Sequence, residues 1–144
     1  LISGLPMYAP TWEGVEDPLR DTYPLQMIGH HYKQRTHSTY GNSEWMKEVA
    51  PQEVWINTLD AEARGIQQGD MVDVFNERGR IQLPAKVTTR MMPGVVSVPQ
   101  GAWYAPNNDG VDVGGCVNTL TKYHPSPLAK ANPQHTNLVE VKKA

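Results

Sequence analysis

INTLDAEARGIQQGDMVDVFNERGRIQLPAKVTTRMMPGVVSVPQGAWY, residues 56–104, reads as a short helix followed by three strands. Asn57 suits the helix N-cap, because its side-chain oxygen can accept from an N–H of the first turn, and Asp60 then sits near the positive helix end. Gly65 stops the helix where a left-handed residue costs least, and Ile66 supplies the apolar residue that follows such a stop. Gln68-Gly69-Asp70 is a turn, and Met71 to Asn76 a strand. Ile81, Leu83, Ala85 and Val87 alternate with polar or small partners, which predicts a half-buried strand with one wet face. Pro84 within it predicts an edge or a bulge, since proline cannot donate to a ladder. Pro93-Gly94 turns the chain into Val95-Val96-Ser97-Val98. That order of elements describes a small closed β-barrel with a helix tucked into it.

Working outward, Val54-Trp55-Ile56 is a short strand and Leu25 to His31 an apolar one. Between them lies the polar loop YKQRTHSTYGN, residues 32–42. Asn42 or Ser43 can cap the helix SEWMKEVA, in which Trp45 and Val49 share a face at i,i+4 spacing, and Pro51 ends it. Residues 1–24 carry six Gly and Pro with aromatics between them, an extended lead-in to a domain spanning 25–144. After Gly101 the text is loop-like as far as Asn137, and a loop of that length in a compact domain points to function. Leu138 to Val141 supplies a last strand able to close the barrel.

The chain has 144 residues, enough for one domain with a real core. A hydrophobic share of 39% and a charged share of 19% argue against disorder, and the apolar runs are too short to cross a bilayer. A net charge of −2 gives no nucleic-acid signal. Cys116 is the single cysteine, so there is neither an internal disulfide framework nor a cysteine-built zinc site. The start, Leu1-Ile2-Ser3-Gly4, lacks an initiator Met and a basic leader, and reads as the middle of a longer polypeptide.

Arg35-Thr36-His37-Ser38-Thr39-Tyr40-Gly41-Asn42 gathers a guanidinium, an imidazole, hydroxyls and a Gly before a helix N-terminus. A pyrophosphate needs such donors. The same residues also suit a solvated loop whose Ser and Asn only cap the helix, and spacing leaves both readings open. No phosphate-loop or dinucleotide glycine fingerprint is present. His30 and His31 point to opposite faces if extended, and with His37 they bring no carboxylate at ligand spacing, so no metal site is expected. Cys116 and Ser38 have no triad partners, and no catalytic residue is assigned. In the last third, Trp103 offers a flat wall to a heterocycle, and Asn118, Gln134 and His135 offer paired donors and acceptors. Such amides serve equally well as turn formers.

Taken together, RTHSTYGN, INTLDAEARGIQQGDMVDVFNERG, VTTRMMPGVVSVPQGAWY, VGGCVNTLT and SPLAKANPQHTNLVEV resemble the C-terminal molybdopterin-dinucleotide-binding domain of the dimethyl sulfoxide reductase family. The resemblance covers roughly residues 25–144 and is strongest to the bacterial anaerobic dimethyl sulfoxide reductase branch. It implies a mainly β fold, a six-stranded double-psi β-barrel of the aspartate decarboxylase-like kind with short helices. It implies a bis(molybdopterin guanine dinucleotide) molybdenum cofactor shared with preceding domains, and absent when the domain is isolated. By matching position, Arg35, His37, Ser38 and Thr39 would lie on the pyrophosphate and pterin side, with Asn42 ordering the loop. Asn118, Gln134 and His135 would bond pterin or guanine edges, Trp103 would border the cofactor, and His31 is a weaker candidate. The molybdenum ligand and any iron-sulfur cysteines would belong to preceding domains of the same catalytic subunit, leaving the isolated domain without reductase activity. The family suggests anaerobic respiration in a periplasm-facing, membrane-associated complex with an iron-sulfur electron-transfer subunit and a membrane-anchor subunit.

Two other readings use the same barrel. One is a stand-alone psi-barrel binding or adaptor module without cofactor. The other is a small self-processing decarboxylase-like enzyme.

Overall fold

Apolar residues at every second position build the barrel wall. The computed structural model describes residues 3–132 and 135–144. It contains strands β1 (Leu25–His30), β2 (Val54–Ile56), β3 (Met71–Asn76), β4 (Gly79–Val87), β5 (Val95–Pro99) and β6 (Asn137–Lys143). Two short helices, α1 (Glu44–Val49) and α2 (Thr58–Glu62), sit in the connections. The strands close in the order β1-β5-β2-β4-β3-β6. β1 runs parallel to β5 and β2 parallel to β4, while the remaining neighbours are antiparallel. The β1–β2 connection therefore steps over β5, and the β4–β5 connection steps over β2. Each makes two antiparallel strands flank a third that bonds to both, and the pair of such units is the double-psi barrel.

Leu25 and Met27 of β1, Val72 and Val74 of β3, and Ile81, Leu83 and Ala85 of β4 point inward and are buried. Val54, Ile56, Val96, Val98, Val139 and Val141 complete that core. Each large side chain so buried contributes about 1.5–3 kcal/mol. β6 closes the wall by pairing with β1 and β3 at once. At α2, Asn57 accepts from the Leu59 N–H at 2.8 Å, as the capping pattern predicts. Gly65 has φ +64°, and the Ile66 N–H returns to the Ala61 carbonyl, the bond expected of a helix ended by a left-handed residue. Asp60 does more than face the helix end, because its Oδ2 accepts from the Gly94 N–H at 2.7 Å and ties α2 to the turn before β5.

One local expectation fails for an identifiable reason. Pro84 lies on neither an edge strand nor a bulge, since β4 is paired on both sides. The Ala85 N–H faces β3 and bonds the Asp70 carbonyl, so the Pro84 nitrogen faces the other flank. There β2 begins only at Val54, opposite Ala85, and the Asp112 strand-like bridge is at Ile81, so proline fills a gap in the ladder. Helix α1 forms where expected, with Ser43 at its N-cap position but without a side-chain bond, and Trp45 and Val49 are 66% and 57% exposed, so the face they share is not part of this barrel's core.

The segment before β1 packs on the barrel end. Trp12 stacks on His124 at 4.0 Å, and Glu13 is buried. Glu13 receives both terminal nitrogens of Arg78, at 2.7 and 2.8 Å, and the Leu138 N–H at 2.9 Å. Asp17 caps a single 3-10 turn at Pro18–Asp21. The N–H groups of Leu19 and then Glu13 hold its carboxyl below the usual range.

Candidate functional site

β1 and β5 finish at the barrel end where β2 and β6 begin, so the 31–53, 100–116 and 120–136 connections share one end. Gln52 joins them. Its Nε2 donates to the carbonyls of Pro99 and Gly115 at 2.7 and 3.0 Å, and its Oε1 accepts from Arg35 Nη2 at 2.9 Å. Arg35 is thereby held half-buried under Tyr32, whose ring centroid lies 5.5 Å from Cζ. Burial pushes its pKa below the ordinary value, and no carboxylate pairs with it among the described residues. Among the described residues the buried Arg35 Nε has no hydrogen-bond partner. Beside it opens a groove of about 690 Å³, walled by Tyr40, Asn42, Trp103 and Tyr104 among others.

The loop carrying the other predicted residues is locked by backbone approach. A Cβ on Gly101 would overlap the His37 carbonyl oxygen, and Gly101 has φ +89°. Trp103 Nε1 donates to the Ser38 carbonyl at 2.8 Å. Gly41, which the sequence suggests would admit a ligand, is instead pressed on the Trp103 ring, 2.6 Å from where its Cβ would stand. His37 and Tyr40 both take left-handed backbone, at φ 49° and 64°, a conformation costly for residues with side chains.

Arg35, Asn42 and Trp103 therefore share the groove. His37, Ser38 and Thr39 are exposed on its flanking loop, where the Thr39 hydroxyl donates to the Thr36 carbonyl at 2.6 Å. The His31 ring meets His37 edge-on at 5.3 Å. His135 lies at the same barrel end beside Gly29 and Gln100, outside the groove lining. Asn118 is exposed in a 3-10 turn at Val117–Thr119 and does not line the groove either. Gln134 falls outside the described residues.

Three residues that sequence reasoning passed over organise this end: Gln52, Gln100 and Asp112. Asp112 is fully buried, and its carboxylate accepts from the N–H groups of Ala105, Gly114 and Cys116 and from the Thr119 hydroxyl. The one sequence sign was an acid between glycines in NNDGVDVGG, a pattern that ordinary turns share.

A model of the family described as Molydopterin dinucleotide binding domain matches residues 25–138. The chain belongs to this molybdopterin dinucleotide-binding family. Within it, the chain is 61% identical to the dimethyl sulfoxide reductase-type chain YnfE and 57% to dimethyl sulfoxide reductase DmsA, both of Escherichia coli K12. Each match takes in 99% of the chain and 18% of the relative, so the chain spans under a fifth of those proteins. Among solved structures, acetylene hydratase from Pelobacter acetylenicus superposes with a TM-score of 0.80 at 18% identity, over 97% of this chain and 21% of that one. That likeness shows the shared barrel fold.

Proposed function

We propose that the chain clamps the bis(molybdopterin guanine dinucleotide) molybdenum cofactor of a larger dimethyl sulfoxide reductase-type oxidoreductase. One observation carries this reading: a half-buried Arg35 that has, among the described residues, neither a carboxylate partner nor a partner for its Nε, on the wall of a groove able to admit a large anion. A desolvated, uncompensated cation is stabilised when an anion enters. The residues present thus fit a pyrophosphate-linked dinucleotide.

In this reading Arg35, His37, Ser38 and Thr39 face the pyrophosphate and the adjoining pterin, and Asn42 orders their loop. Trp103 forms a flat border, and Asn118, Gln134 and His135 address pterin or guanine edges. When bound, the molybdenum centre would supply the redox chemistry; this chain's residues hold and orient the organic part of the cofactor. Residues 1–24 would lead in from a preceding domain of the same catalytic subunit, and 25–144 would form the clamp. The molybdenum ligand and iron-sulfur cysteines would lie in those preceding domains, so the isolated chain has no reductase activity. An iron-sulfur electron-transfer subunit and a membrane anchor would complete the assembly. High identity to dimethyl sulfoxide reductases over nearly the whole chain supports the sulfoxide class.

Arg35→Ala in the full-length protein tests this. Losing a charge-assisted contact costs about 1.5–3 kcal/mol, so molybdenum and guanine nucleotide content should both fall. Unchanged content of both would refute the clamp.

A further inference from the structure

Gln52 lies on the groove wall with Arg35, and every polar atom of its side chain is fixed by a partner. Pro99 and Gly115 present carbonyls at 2.7 and 3.0 Å, and a carbonyl can only accept. The amide must therefore turn its nitrogen to them and its oxygen to Arg35. Both amide protons are then engaged, and Oε1 stands 2.9 Å from Arg35 Nη2 as a neutral acceptor. Gly115 makes the slot for this side chain, since a Cβ there would stand 2.9 Å from Gln52 Cγ on a backbone at φ +78°.

A carboxylate of the same length would act differently. Elsewhere in this barrel Arg78 meets Glu13 through both terminal nitrogens, a buried pair that leaves no charge for an outside anion. Arg35 meets an amide instead, which orients the guanidinium and leaves its charge uncompensated. The adjacent carboxylate, Glu53, is drawn away to Lys86 Nζ at 3.4 Å. The carbonyls of Pro99 and Gly115 also disfavour an acid at this position, because an ionised carboxylate would offer them a negative charge and no proton. We propose that Gln52 is the positioning residue that sets the charge of this groove: it fixes Arg35 without neutralising it, and so makes the groove select ligands by negative charge. This assignment rests on the reading of Arg35 as an anion contact and adds the residue that keeps that contact open.

The test uses the nitrogen-15-labelled chain, with inorganic pyrophosphate and inorganic phosphate as probes, read by calorimetry and by side-chain spectra. In the unaltered chain, pyrophosphate should shift the Arg35 Nε–H, while the Gln52 amide protons exchange slowly before and after binding. Gln52→Met and Gln52→Glu lose the same two amide bonds, and only the second adds a charge. Gln52→Met should weaken pyrophosphate about threefold, the loss of one neutral hydrogen bond that orients Arg35. Gln52→Glu should weaken it about tenfold further, the loss of a charge-assisted contact, and that gap should narrow for the less charged phosphate. Equal affinity in the two variants would reduce Gln52 to a loop brace and overturn the inference. Release of the Gln52 amide protons when pyrophosphate binds the unaltered chain would overturn it too, and this measurement decides the case if a variant fails to fold. Arg35→Ala separates the inference from the reading beneath it. If that variant loses pyrophosphate while the two Gln52 variants match each other, the inference fails and the anion contact stands. If Arg35→Ala binds as the unaltered chain does, or the unaltered chain responds to neither probe, both fall.

Discussion

Asp112 shows how one buried carboxylate can set the shape of a loop. Four donors converge on its two oxygens, three of them backbone N–H groups of Ala105, Gly114 and Cys116. An orphaned buried donor costs about 1–3 kcal/mol, so Asp112→Ala should lower unfolding free energy by at least about 3 kcal/mol in urea titration. Asp112→Asn should fall between, because it keeps one acceptor oxygen and turns the other position into a donor. A loss under about 1 kcal/mol for the alanine variant would show that the loop holds itself. His30 makes the second prediction at this scale. Its Nδ1 bonds the Ser97 hydroxyl at 2.7 Å and its ring packs on Trp55. Burial first, then the charges of Arg35, Lys86 and His31, push its pKa below the ordinary 6.5. The unfolded chain therefore binds the extra proton as pH falls below about 6.5, and the stability that His30 contributes is complete above that pH and lost beneath it. His30→Gln should flatten the fall in urea midpoint between about pH 7 and 5. An unaltered slope would place the pH dependence on other groups.

Among the elements, the 35–42 loop is held from outside, by Gly101 and Trp103. Gly101→Ala would drive a Cβ into the His37 carbonyl and strain a backbone at φ +89°. Amide exchange over residues 36–42 should therefore speed up markedly, while β1 and β5 stay protected. Trp103→Phe, which removes only the indole donor to the Ser38 carbonyl, should do the same more weakly, at a cost of about 1 kcal/mol. Slow exchange in both variants would mean that the loop is rigid by its own turns. This contrast also explains what the sequence discloses. Strands β3 and β4 and helix α2 are legible because period-two alternation, Asn57 and Gly65 are local signals read within a few residues. The sequence singles out Arg35 and Trp103 by side-chain type, and both line one groove. The docking of Gly41 on Trp103 and the Gln52 hub were not, because they join residues some fifty or more positions apart and depend on the crossing of the two psi units. Trp45 and Val49 share the helix face their spacing specifies, but spacing says nothing of what lies under that face.

At the scale of the molecule, the barrel is closed by its strands, and its loop end is held by one ion pair from outside the wall. Glu13 is 2% exposed and Arg78 18%, in a bidentate pair that links the lead-in to the β3–β4 hairpin. The same carboxylate accepts from the Leu138 N–H of β6, and Arg78 Nε donates to the Leu120 carbonyl at 2.9 Å. Four stretches distant in sequence thus meet on one buried charge pair. Removing a single partner leaves the other charge desolvated, a penalty on the order of 3–5 kcal/mol. Arg78→Ala, which strands the 2% exposed Glu13, should cost that much, and Glu13→Ala less, because Arg78 is 18% exposed and keeps Glu77 at 3.2 Å; both should loosen exchange at residues 120 and 138. Replacing both partners together by Met removes the stranded charge and refills the volume, so in a cycle of Met substitutions the double variant should be more stable than either single Met variant. Additive losses in that cycle would show instead that the lead-in rests on the barrel through Trp12 and its stack on His124, with the ion pair contributing nothing of its own.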